Sequence, residues 1–167
     1  MFFEFREMPR LHDVLTCLSL AAAAAILISG CASVPQASPG RDADAKQFNT
    51  QPSAATIYVY RPDLSGLDPD RTDPVLWADG RLIGETLPQS YFRLDLPPGR
   101  HRLSGEAGDI GRIELDTSAG ELYFVSLRAL GGTSNFRLES SETAKRDILR
   151  CCVRLENWAP GQRPVSR

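Results

Sequence analysis

Four cysteines, two histidines and a cluster of aspartates are the residues with chemistry beyond packing in this chain of 167 residues. Cys31 follows "ISG" at the end of an apolar run, Cys17 lies inside that run, and Cys151 and Cys152 are adjacent near the other end. A thiolate is a nucleophile, so Cys31 is a candidate for covalent modification. The adjacent pair leaves three outcomes open: burial as small apolar side chains, a disulfide to another chain, or a strained disulfide within the pair that would make Cys151 and Cys152 a redox site. His12 and His101 are the only histidines, and without Cys-x-x-Cys or His-Glu-x-x-His spacing no clustered metal site is expected. His101 beside a carboxylate such as Asp95 would be the centre of a hydrolase. As a turn-flanking residue it would instead hydrogen-bond locally or pack against Tyr123. Asp63, Asp68, Asp70 and Asp73 around Gly66 carry oxygen ligands suited to a hard cation such as calcium, but they lack DxDxDG spacing and have Arg71 as a counter-charge. The expectation is no metal, no cofactor and no catalytic residue.

The elements that position these residues begin with "CLSLAAAAAILI", residues 17–28. As a helix it would span roughly 18 Å, short of the roughly 30 Å hydrocarbon core of a bilayer. Arg10, His12 and Asp13 precede it and small residues close it, which is the layout of a secretory signal segment over residues 1–30. The segment is more ordinary if translation starts at Met8 rather than Met1.

The junction "ISGC" places a branched apolar residue three positions before a cysteine and two small residues just before it. Ile28, Ser29, Gly30 and Cys31 resemble the lipobox of bacterial lipoproteins. The resemblance implies a diacylglyceryl thioether on Cys31, cleavage before it, and in many bacteria a further acyl chain such as palmitate on the new amino terminus. Two or more chains anchor a protein stably to a bilayer. The usual sorting pattern, with Ala32 and Ser33 in place of an aspartate after the cysteine, implies the outer membrane, with the domain in the periplasm.

Residues 32–54, "ASVPQASPGRDADAKQFNTQPSA", contain few large apolar residues and are predicted to be a flexible tether, with Cys31 at its head. As a coil it would reach roughly 25 Å. The formal charge of −2 and the absence of a basic tract exclude nucleic acid as an expected partner. From Ala55 the pattern alternates. "ATIYVYR" reads as a strand with two usable faces, and "VLWADGRLIG" as two strands around an Asp79-Gly80 turn, with Trp77 buried. "SYFRLDLPPGRHRL" and "GRIELDTSAGELYFVSL" repeat the device around Pro98-Gly99 and Ala119-Gly120, and "SNFRLESS" adds a further alternating run. About seven short strands with regular turn signals predict an all-β fold, a small antiparallel sandwich over residues 55–157, with a tail at 158–167. "SSETAKRDILRCCVRLENW" carries a helical pattern capped by Ser140 or Ser141, with "CCVRLEN" as a final strand the alternative.

Taken together, "ATIYVYRP", "ADGRLIGETL", "YFRLDLPPGRH" and "AGELYFV" resemble a bacterial lipoprotein-associated family of unknown function. Arg61-Pro62, Asp79-Gly80, Ile83-Gly84, Pro98-Gly99, His101, Ala119-Gly120 and Tyr123 fill its motif positions. The segment is also similar to PEGA-type surface modules, which use a Pro-Gly turn before a small strand. The resemblance implies an envelope-facing β domain and no particular activity. Two functions follow from the sequence. The first is a lipid-anchored, non-enzymatic binding or scaffolding domain, with Tyr58, Tyr60, Tyr91 and Phe92 as a recognition surface for an envelope protein or the cell wall. The alternative is an envelope enzyme, a hydrolase at His101 or a thiol-redox protein at Cys151 and Cys152.

Overall fold

The computed structural model describes residues 34–62, 73–106, 110–130 and 132–158. Cys31, the signal segment, and Asp63, Asp68, Asp70 and Arg71 of the acidic loop lie outside them.

Among the described residues nine strands form two sheets, an all-β sandwich as expected but with more strands than the roughly seven that the alternating runs predict. They are β1 (Ala55–Arg61), β2 (Val75–Ala78), β3 (Arg81–Glu85), β4 (Ser90–Leu96), β5 (Gly99–Glu106), β6 (Ile110–Thr117), β7 (Leu122–Leu130), β8 (Thr133–Leu138) and β9 (Val153–Arg154). Strand order is β8-β7-β1-β4-β9 in a five-stranded sheet and β3-β2-β5-β6 in a four-stranded one. Pairing is antiparallel except for β1 with β7 and β4 with β9. Helix α1 (Pro39–Ala45) and helix α2 (Ser141–Cys151) pack on the outer face of the larger sheet, making a third layer.

β1 is buried along its whole length because it is central in a sheet covered on both sides. Its period of two divides the burial between two cores. Ile57 and Val59 point between the sheets and meet Leu76, Phe92, Leu103 and Leu127. Tyr58 and Tyr60 point to the helices and meet Tyr91, Phe124 and Ile148. The four aromatics expected to form a recognition surface are therefore interior: Tyr58, Tyr60, Tyr91 and Phe92 are each at most 2% exposed. Trp77, expected inside, is only half-buried, because inward-facing Leu76 and Ala78 leave it on the outer face of β2. Trp158 is the buried tryptophan, and its amide donates to the Ile83 carbonyl, so the folded part runs at least to 158 rather than ending in a tail there.

The Asp79-Gly80 turn forms as predicted, with φ of 50° and 77°, both in the left-handed region that a tight hairpin needs. The two later turns differ from expectation. β4 pairs with β1 while β5 pairs with β2 and β6, so Pro97-Pro98 carries the chain from one sheet to the other. Ala119-Gly120 likewise separates β6 from β7, which lie in different sheets. Proline at both 97 and 98 supplies no amide for a two-residue hairpin ladder, which suits a corner between sheets better than a hairpin.

The largest departure is the tether. From residue 34 onward it is structured: Gln36 bridges antiparallel to Leu155, and α1 follows with Ser38 as its cap and Pro39 in the first turn. Asp42 is the fastening. Its Oδ1 accepts from the Tyr91 hydroxyl and the Arg154 amide, each at 2.9 Å, and its Oδ2 accepts from Lys46 at 2.7 Å. Burial alone would raise the pKa of this carboxyl, but those hydrogen bonds outweigh it and hold the group below the usual aspartate value. At the end of the helix the Tyr58 hydroxyl donates to the Ala45 carbonyl at 2.7 Å, and Phe48 just beyond it packs tilted on Tyr58 and edge-on to Phe124 in the outer aromatic core. A segment with few large apolar residues thus seats itself with one carboxylate, one helix cap and one aromatic ring.

At the other end both readings of "CCVRLEN" are realised in succession. Ser140 caps α2 by accepting from the Thr143 amide, the helix ends at Cys151, and Val153 and Arg154 then pair with β4.

Candidate functional site

His101 is the one described histidine, and three elements converge on it. The β2–β3 turn brings Asp79, the corner after β4 brings the Pro97 carbonyl, and β5 carries His101 itself. His101 Nδ1 lies 2.6 Å from Asp79 Oδ2, and Nε2 lies 2.7 Å from the Pro97 oxygen. Asp79 is fixed in turn: its Oδ1 accepts from the Arg102 amide at 2.8 Å, and its own amide donates to the Arg102 carbonyl at 2.8 Å. The left-handed backbone of Asp79 is what folds its carboxylate back over β5.

Both partners of the ring are acceptors only, a carboxylate and a carbonyl, so both ring nitrogens must donate. Burial alone would lower the pKa of His101, but the hydrogen bonds to Asp79 and Pro97 outweigh it and raise it above the ordinary histidine value. At Asp79 burial alone would raise the pKa, but the hydrogen bonds from the Arg102 amide and His101 outweigh it and lower the pKa. The result is an imidazolium clamp between a hairpin turn and an inter-sheet corner. Neither nitrogen keeps a lone pair for taking a proton from a substrate hydroxyl or water, as a general base must. Asp95, the carboxylate expected beside His101, lies on β4 and accepts from the Thr56 hydroxyl at 2.6 Å. The shallow cleft next to the clamp, lined by Asp79, Gly80, Arg100, Arg102 and Glu114, has its charges paired across the β5–β6 ladder, Arg100 with Asp116 and Arg102 with Glu114.

Cys151 and Cys152 lie at the junction of α2 and β9 as free thiols, with Sγ atoms 3.2 Å apart. Cys152 is buried and its thiol faces the Arg61 carbonyl at 3.6 Å, whereas Cys151 is half-buried. Burial, reinforced by the neighbouring Cys151 thiol, pushes the Cys152 thiol far above its ordinary pKa, the reverse of what an attacking thiolate needs. Of the four loop aspartates, Asp73 is described. It forms an ion pair with Arg61 at 2.9 Å, and Arg61 also donates to the Thr86 carbonyl. Among the described residues no three His, Cys, Asp or Glu side chains come together as a metal-binding group.

His101 stands out in the sequence, whereas neither Asp79 as its partner nor Asp42 does. Signals for both are present: an Asp-Gly hairpin places its aspartate in a conformation that turns the carboxylate back on the ladder, and Ser38-Pro39 is a helix-start pair.

Residues 51–139, from just before β1 to the residue after β8, match the family model described as "Protein of unknown function (DUF2846)". A protein of Haemophilus influenzae, described as uncharacterized, is 29% identical over 130 residues, which is 74% of this chain and 76% of the relative. No solved structure matches. With more than half of its length under the family model, including the Tyr-Arg-Pro strand, the Asp-Gly hairpin and the histidine clamp, the chain belongs to the DUF2846 family of proteins of unknown function.

Proposed function

We propose that this protein is a bacterial envelope lipoprotein, held at the outer membrane by lipid on Cys31, whose sandwich is a non-enzymatic binding or scaffolding module similar to PEGA-type surface domains. The observation that carries the reading is "ISGC" at the end of a short apolar run, where a cysteine follows two small residues at the position from which a signal segment would be removed. The state of His101 supports the non-enzymatic half, because a ring that donates from both nitrogens is a structural cation rather than a base.

The test is direct. In cells given radiolabelled palmitate, wild-type protein should take up label and run as a processed form, and Cys31→Ser should remain an unlabelled precursor. Equal labelling of the two would end the lipoprotein reading. Cross-linking of the membrane-bound wild type, followed by identification of the trapped species, would name the partner class, an envelope protein or cell-wall material.

A further inference from the structure

The seated N-terminal segment changes what an anchor at Cys31 does. A free tether to residue 54 would give the sandwich roughly 25 Å of reach. With residues 34–48 docked, only Ala32 and Ser33 separate Cys31 from Val34, which packs against the inner core. Three residue steps of fully extended chain span at most about 11 Å.

We infer, on the reading that Cys31 carries the lipid, that the sandwich is held against the bilayer headgroups by one defined edge. That edge is built from residues 34–37 and 155–158. There the chain extends the larger sheet beyond β9, through the Gln36–Leu155 bridge and the bond from the Glu156 amide to the Pro35 carbonyl. It then crosses to the smaller sheet, where the Trp158 amide reaches Ile83 on β3. The exposed chemistry of this edge suits headgroups rather than hydrocarbon. Arg41 pairs with Glu156 at 2.9 Å with its side chain 59% exposed, Asn157 is exposed, and Trp158 is turned inward and buried. The opposite edge, formed by β6 and β8, then faces away from the membrane and is the side open to a soluble partner. Undocking the segment to regain reach would break the hydrogen bonds from Tyr91 and Arg154 to Asp42 and the Tyr58–Ala45 bond, so the short leash is the resting state.

The experiment uses lipidated protein made in cells and reconstituted into vesicles of phosphatidylethanolamine and phosphatidylglycerol that carry a headgroup quencher. A fluorophore is placed on a cysteine at Asn157 or at Asn135 on β8, in a Cys151→Ser, Cys152→Ser background. Asn135 lies on β8 and Asn157 lies three residues beyond β9, and these two strands are the opposite edges of the five-stranded sheet, about 19 Å apart at ordinary strand spacing, so quenching at 157 should exceed that at 135 by about threefold or more. Adding Asp42→Ala should reduce the difference. Equal quenching at both positions on protein whose intact mass includes the lipid would overturn the oriented edge alone. An intact mass without lipid would overturn the anchor reading and this inference with it. Hydrogen exchange on the lipidated wild type provides a readout free of substitutions: the Asn157 amide should be slowed by the vesicle while the outer amides of β8 are not, and the reverse pattern would refute the orientation.

Discussion

His101 shows how a catalytic-looking residue can be spent on architecture. A histidine 2.6 Å from an aspartate has the first half of a proton-transfer dyad, but the Pro97 carbonyl occupies the nitrogen that would do the work. His101→Ala should therefore destabilise the fold by about 1–3 kcal/mol, as for loss of charged hydrogen bonds, measured by urea unfolding. The pH dependence has a definite sign. The folded pKa is raised above the unfolded value, so the contribution is complete below about pH 6.5 and is lost as pH rises through the folded pKa. The urea midpoint of the wild type should fall between pH 6 and pH 9, and His101→Gln should flatten that change. An equal fall in the variant would place the titration elsewhere.

At the scale of elements, α1 depends heavily on one side chain, Asp42. Asp42→Ala should leave the sandwich folded, with unchanged β-type circular dichroism, while limited proteolysis within residues 34–50 rises severalfold. The native segment should loosen in acid as well. Its carboxylate is held below the ordinary value, so its contribution is present above about pH 4 and is lost as pH falls through the lowered pKa. The elements of residues 55–157 were largely legible because period-two runs, an Asp-Gly turn and a capped helix are local signals. Their partners were not. Whether Pro98-Gly99 or Ala119-Gly120 closes a hairpin or turns a corner depends on which sheet takes the next strand, and no residue near the turn states that. The aromatics of β1 and β4 were misplaced for the same reason: Tyr58 and Tyr91 alternate just as outward-facing residues would, and only the helices that cover them make their face interior. α1 was missed because its anchoring is polar, and a search for large apolar residues overlooks a segment held by a carboxylate.

For the whole molecule, the two sheets come into close backbone contact where β6 meets β8. A side chain at Gly111 would drive its Cβ into the Ser134 carbonyl, backbone against backbone. Gly111→Ala should thus cost at least about 1–3 kcal/mol, the usual range for overpacking, and should lower the thermal midpoint by several degrees. Gly80→Ala meets no atom within 4 Å and should act only through its positive φ. A Gly111 variant as stable as the wild type would mean that the sheets separate there at little cost.

The parallel pairing of β1 with β7 also sets an order of events. Ile57 lies beside Tyr123 and Gln36 beside Leu155, so one side of β1 and the segment before α1 find their partners only among residues made much later, although β4 can pair with the other side of β1 sooner. Contacts of such long separation form slowly, because the loop must close before the contact rewards it. During synthesis the β7 side of the first strand and the seat of the helix before it would therefore stay open, and the central strand of the finished domain would be enclosed on both sides only late. The two ends then secure one another. A chain clipped after α2 would lose Arg154 and Leu155 and with them the seat of residues 36–42, so damage at the end of the sequence would be felt first at its beginning.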